Sequence, residues 1–197
     1  GLDFKELEAD ERKYVKKCFK EQILPVLSPQ IVDSSHPFPH LMNKDIYVTA
    51  NLKHINSRKN KDDKEKEQIL GIVPVPTYVS DILVLPGHDI RYIRMEKVIM
   101  EYLDLVFDQY EVSDPNYICV TRNADVSPDD EALEVTDDFR KLMQSTLHKR
   151  RRMAVVRLET AEKLTPEMQE YFCKKFKITP EQIFRTKMPM KLDYMFS

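Results

Sequence analysis

Glycine is scarce: the 197 residues hold three, Gly1, Gly71 and Gly87. Phosphate loops of the P-loop and dinucleotide-binding folds need several glycines within a few residues, to turn tightly and to bring backbone N–H groups onto the phosphates. No two of these three lie that close, so both folds are excluded. Cysteine is equally sparse. Cys18, Cys119 and Cys173 are odd in number and far apart, without metal-type spacing, and read as reduced thiols of a cytosolic protein. No apolar run approaches the roughly 20 residues that span a bilayer. The amino-terminal stretch "GLDFKELEADERKY" has no signal-peptide apolar core. A net charge of −2 sets up no overall field toward nucleic acid or membrane, so any anion site must be a local cluster.

What is present suffices for one packed core: 42% of the residues are hydrophobic. Residues 8–22 predict a helix with Tyr14, Val15, Cys18, Phe19 and Gln22 on one face, stopped by Pro25. Four prolines from Pro25 to Pro39 then impose extended chain and turns. Residues 45–53 alternate as a half-buried strand, and "ILGIVPV" (69–75) returns after a polar connection, 54–68. Pro86-Gly87 marks a hairpin turn within 82–95. A single helix is expected over 95–107, with Val98, Ile99, Tyr102, Leu103, Val106 and Phe107 as its stripe. Two strands should flank an Asp114-Pro115 turn. Later come a helix over 128–150, a strand over 153–159 and a helix over 166–176 entered through Thr165 and Pro166. "TPEQIF" (179–184) repeats that helix-start signal. The pattern predicts an α+β fold with a largely antiparallel mixed sheet and helices packed on it.

Two readings compete for the basic run from His148 to Arg152. Acids fill the first half of helix 128–150 and bases its end, the polarity that the helix dipole favours. That accounts for Lys149 and Arg150. Arg151 and Arg152 lie beyond the expected helix end and are left for an anion or partner contact. Arg122, Asn123 and Asp125 either line an anion path or close a strand-to-helix turn by local hydrogen bonds. Arg157, among apolar neighbours on a strand, is expected on an exposed face or in an inter-domain ion pair. His36 reads as a turn-ordering residue rather than a nucleophile. No nucleophile, base and orienter can be named together, which disfavours an independent small enzyme. No catalytic, cofactor-binding or metal-ligating residue is assigned.

The segments "FKEQILPVLSPQIVDSSHPFPHLMN", "VLPG", "YICVTRNADVSPDDEA" and "RRRMAVVRLE" resemble, in that order, the middle or head domain of bacterial polyphosphate kinase of the long, histidine-phosphorylating type. "HPFP" and "TRNAD" together carry the likeness. His40 departs from it, standing where the family usually has an aromatic residue, and the 54–68 connection is unusually rich in lysine. The resemblance implies a leading helix, or the end of an amino-terminal helical domain, over 1–22 and the head domain over 23–197. It implies a parent enzyme that moves the terminal phosphate of ATP to polyphosphate through a phosphohistidine. In that family the histidine and the ATP and magnesium contacts lie in carboxy-terminal domains resembling phospholipase D. None of the five histidines here begins an H-x-K motif. The expected role is therefore architectural and non-catalytic. The expected partners are those carboxy-terminal domains, a second subunit of a homo-oligomer and polyphosphate. The expected location is the cytoplasm, with peripheral membrane attachment only as part of the parent enzyme. The alternative is an autonomous module that binds polyphosphate or nucleic acid through residues 149–152.

Overall fold

A computed structural model describes residues 1–55, 68–87, 90–123, 154–186 and 190. It shows the expected α+β architecture. A six-stranded sheet runs in the order β1-β3-β2-β6-β7-β8, and a separate hairpin pairs β4 with β5. The strands are β1 (Gln30–Val32), β2 (Ile46–His54), β3 (Ile69–Pro74), β4 (Ile82–Val84), β5 (Tyr92–Arg94), β6 (Tyr110–Arg122), β7 (Val155–Thr160) and β8 (Ile183–Arg185). The helices are α1 (Ala9–Cys18), α2 (Met95–Glu101), α3 (Leu103–Val106) and α4 (Pro166–Phe176). All sheet pairings are antiparallel except β7 with β8, which α4 joins.

Apolar side chains cover the sheet on both faces. One core unites Val15, Phe19 and Ile23 with Val48 of β2, Ile93 of β5 and Ile99 of α2. The other unites Leu41, Leu70, Ile118, Val120 and Leu158 with Met168 and Phe172 of α4. This double cover corrects the expected half-buried strand at 45–53. Ile46 through Ala50 are all buried, because β2 lies between β3 and β6 and beneath both layers. Gly71, paired with Ala50, has no room for a side chain: a Cβ there would stand 2.7 Å from Phe107 Cζ.

Four further local expectations change for physical reasons. Beyond α1 the chain widens into a π turn, Phe19–Ile23. The buried stripe therefore runs through Val15, Phe19 and Ile23, while Gln22 and Tyr14 face solvent. The 95–107 helix breaks at Tyr102 (φ −109°, ψ 26°) into α2 and α3. The Tyr102 ring packs 4.9 Å from that of Phe19 and 5.7 Å from that of Phe4. Asp114 and Pro115 make a bulge inside one continuous β6 rather than a turn between two strands. Both stand opposite Ala50, Asp114 takes φ 49°, and Pro115 has no N–H for the ladder to lose. Finally, "TPEQIF" gives one 3₁₀ turn, Pro180–Gln182, and then β8. There the Gln182 side chain accepts from Thr179 N (2.9 Å) and donates to Val156 O of β7 (2.9 Å), which ties the chain to the sheet.

Other expectations hold. α4 starts at Pro166 behind Thr165, whose hydroxyl accepts from Met168 N at 3.3 Å. The Pro86-Gly87 hairpin forms, with Gly87 at φ 149°. The three cysteines form no disulfide with one another. No helix among the described residues is long and apolar enough to cross a membrane. The connection 56–67, His88, Asp125 and the expected helix 128–150 with its basic end lie outside the described residues.

Candidate functional site

Arg122 ends β6 on the face covered by α4, in alternation with Ile118 and Val120. Its backbone N–H donates to Asn43 Oδ1 at 2.8 Å, and its Nε donates to Leu41 O at 2.8 Å. Lys44 N donates to Val120 O at 2.8 Å. The 41–44 segment is thereby clasped to the end of β6, across some eighty residues of sequence. Burial holds the Arg122 guanidinium pKa below its usual value, and the neighbouring Tyr47 opposes that shift. Asn123 N donates to Ala154 O at 3.0 Å. Asp125, Lys149, Arg150, Arg151 and Arg152 fall outside the described residues.

Arg157 sits elsewhere. It pairs with Thr121, whereas Arg122 pairs with Val155, and β7 bulges between the two pairs. Alternation sends Arg157 and Arg122 to opposite faces of the sheet, so they do not form one site. Arg157 is exposed. Its guanidinium lies 4.4 Å above the ring of Phe184 and donates to Glu159 Oε1 at 3.1 Å.

A groove of ≈ 450 Å³ opens beside Arg122. Phe38 and His40 form one wall, Arg122 stands at the floor, and Lys175, Phe176 and Lys177 form the other wall. Aromatic contacts hold the walls together. Phe38 meets Phe176 edge-on at 5.4 Å, and Phe176 stacks on Phe172 at 5.6 Å. Lys175 Nζ lies 5.4 Å from the Tyr171 ring. Lys177 closes α4 in the left-handed conformation (φ 56°, ψ 44°). Among the described residues no carboxylate lines this groove. Sequence reasoning did not reach Lys175, Lys177 or His40 as a set. The signal for the two lysines was basic residues at the end of an expected helix, and nothing local says that the loop carrying His40, 135 residues earlier, lies beside them.

His36 stands outside the groove, in the turn before it. Asp33 Oδ1 accepts from Ser35 N at 2.8 Å and His36 N at 2.7 Å, and lies 2.8 Å from His36 Nδ1. The hydrogen bond to the His36 ring is the main reason that the Asp33 carboxyl is held below the usual value. These contacts order the turn and leave His36 exposed. Among the described residues, no three His, Cys, Asp or Glu side chains converge as metal ligands.

The middle domain of polyphosphate kinase matches this chain over residues 10–197. Polyphosphate kinase of Bacillus cereus is 31% identical over 199 aligned residues, which cover 100% of this chain and 27% of that protein. The enzyme of Pseudomonas aeruginosa is 28% identical, covering 94% of this chain and 26% of its own. The crystal structure of polyphosphate kinase from Porphyromonas gingivalis superposes with a TM-score of 0.63 at 24% identity, over 91% of this chain and 24% of that one, and shows the shared fold. The chain thus spans about a quarter of the length of the curated relatives it matches. It belongs to the family of polyphosphate kinase middle domains.

Proposed function

We propose that this chain is an architectural domain of a longer kinase that transfers the terminal phosphate of ATP to polyphosphate, and that its β7–β8 margin is where another domain of the same parent chain docks. One observation carries this reading. At that margin Val156 and Phe184 are 41% and 42% exposed, and the Arg157 guanidinium lies over the Phe184 ring of the outermost strand of the sheet. An aromatic ring with a stacked guanidinium is the composition that interface cores favour over ordinary surface. The relatives supply the occupant, since about three quarters of their length lies outside the matched region. The reacting groups belong to those other domains, and this one holds them in place.

The test is Phe184→Ser with Arg157→Ala, made both in this chain and in a full-length polyphosphate kinase containing it. In this chain the thermal midpoint should hardly move, because both side chains are exposed. In the full-length protein, protease protection between domains should fall and phosphate transfer with it. Unchanged protection and activity would overturn the proposal. So would conversion of an oligomer to monomers with inter-domain protection intact, because the margin would then belong to subunit contact.

A further inference from the structure

We infer that a small cavity between the start of β2, the 75–81 loop and the β5–α2 junction is a built site for one ordered water molecule. Asp45 lines it beside β2, Thr77 and Asp81 line it from the loop, and Arg94 and Glu96 line it from the junction. Its volume is ≈ 20 Å³. A buried water needs roughly 10–15 Å³ of such space and about two to four polar partners, so the cavity admits one.

Arg94 supplies the observation that points to a ligand. Its side chain is 8% exposed and lines the cavity. Nη2 donates to the Tyr117 hydroxyl at 3.1 Å. Nη1 lies 2.9 Å from Glu96 Oε1, yet in a direction that makes no hydrogen bond, and no other described group accepts from it. A buried N–H without an acceptor is costly, and a buried ion pair is sustained where further hydrogen bonds complete it. The simpler account is a dry cavity in which the ion pair alone serves Nη1. Cavities that stay dry are apolar, whereas this one is lined by carboxylates, a hydroxyl and a guanidinium.

The lining also selects the ligand. A cation would meet the hydrogens of Nη1, and among the described residues no three His, Cys, Asp or Glu side chains converge as metal ligands. An anion would meet Asp45, Asp81 and Glu96. Water accepts from the guanidinium and donates to carboxylates in the same place, which neither ion can do. The backbone already gathers the three stretches around it. Met95 N donates to Asp81 O at 2.9 Å, and Val75 N donates to Ile46 O at 3.0 Å. The water completes this junction from the side-chain side and helps to hold the β4–β5 hairpin against the sheet. The site is separate from the docking margin, and either can fail without the other.

The experiment is a high-resolution crystal structure of the 197-residue chain, with further crystals soaked in rubidium and in bromide. Density should appear within about 3.2 Å of Arg94 Nη1 and of a carboxylate oxygen of Asp45, Asp81 or Glu96, and it should give no anomalous signal in either soak. No density at Nη1 would overturn the site. A rubidium or bromide signal there would make it an ion site and overturn the water. In solution, oxygen-17 relaxation dispersion counts long-lived internal waters. Arg94→Met with Glu96→Gln removes the donor without stranding the carboxylate, and this double variant should hold one water fewer per molecule than the wild type. An equal count in a folded double variant would overturn the inference. Should that variant not fold, the wild-type crystal decides alone.

Discussion

Asn116 holds both backbone edges of Glu162. Its Oδ1 accepts from Glu162 N at 3.0 Å and from Ala161 N at 3.1 Å, and its Nδ2 donates to Glu162 O at 3.0 Å. Asn116 is buried on β6, just past the bulge, and these bonds fix where the chain leaves β7 toward α4. Asn116→Ala should destabilise by about 1–2 kcal/mol, since Glu162 N and O would lose this partner while Ala161 N keeps its bond to Tyr117 O. In urea unfolding the midpoint should fall with an unchanged m value.

Gly71 is set by contact rather than by backbone conformation. A Cβ would stand 2.7 Å and 2.8 Å from Phe107 and 3.0 Å from Leu52. Gly71→Ala should cost about 1–3 kcal/mol through overpacking. Phe107→Leu in the same chain should recover part of that loss. A double-mutant cycle would show the coupling, and additive effects would refute the assigned clash.

Lys177 is strained where glycine would not be. Lys177→Gly should stabilise the chain by up to about 1 kcal/mol. Scanning calorimetry would read this as a higher melting temperature. Lys177→Ala keeps the side-chain strain and removes the charge, so it should not share the gain.

Arg94 and Glu96 form a buried ion pair, with Nη1 and Oε1 2.9 Å apart and both side chains under a tenth exposed. Arg94 also donates from Nη2 to the Tyr117 hydroxyl at 3.1 Å. The Nη1 contact is poorly aligned for a hydrogen bond, so charge is its main content. Arg94→Met should destabilise by about 3–5 kcal/mol at neutral pH by stranding a buried carboxylate, and adding Glu96→Gln should restore part of this. Burial raises the Glu96 pKa, and Arg94 opposes that. The stability linked to this shift is present below the unfolded value and is lost as pH rises through the folded one. Arg94→Met should therefore be least damaging in acid, which denaturation across pH would reveal.

Asp33 shifts the other way. The hydrogen bond to His36, with help from the backbone N–H groups of His36 and Ser35, lowers its pKa. The linked stability is present above the unfolded value and is lost as pH falls through the folded one. A carbon-13 titration should place the Asp33 carboxyl below its ordinary position, and His36→Ala should move it back up. An unmoved titration would show that the ring does not support the turn.

Periodicity and punctuation in the sequence determined the elements whose causes are local. α4 begins at Pro166 because Thr165 caps it, and the Pro86-Gly87 hairpin follows from two residues. "HPFP" and "TRNAD" likewise carried the family, since motif order survives without knowledge of contacts. Tertiary structure decided the rest. Tyr102 breaks a helix that its own stripe would continue, where its ring lies between Phe4 and Phe19. The three residues of β8 form a strand beside β7, where Gln182 bonds to Val156 O. The groove needed folding most. His40, Arg122 and Lys177 are far apart along the chain, and no spacing among them marks a shared cleft. Only the clasp of the 41–44 segment on β6, and the packing of α4 against Phe38, bring those charges to one cleft. Such contacts depend on distance in space, which no local spacing of residues encodes.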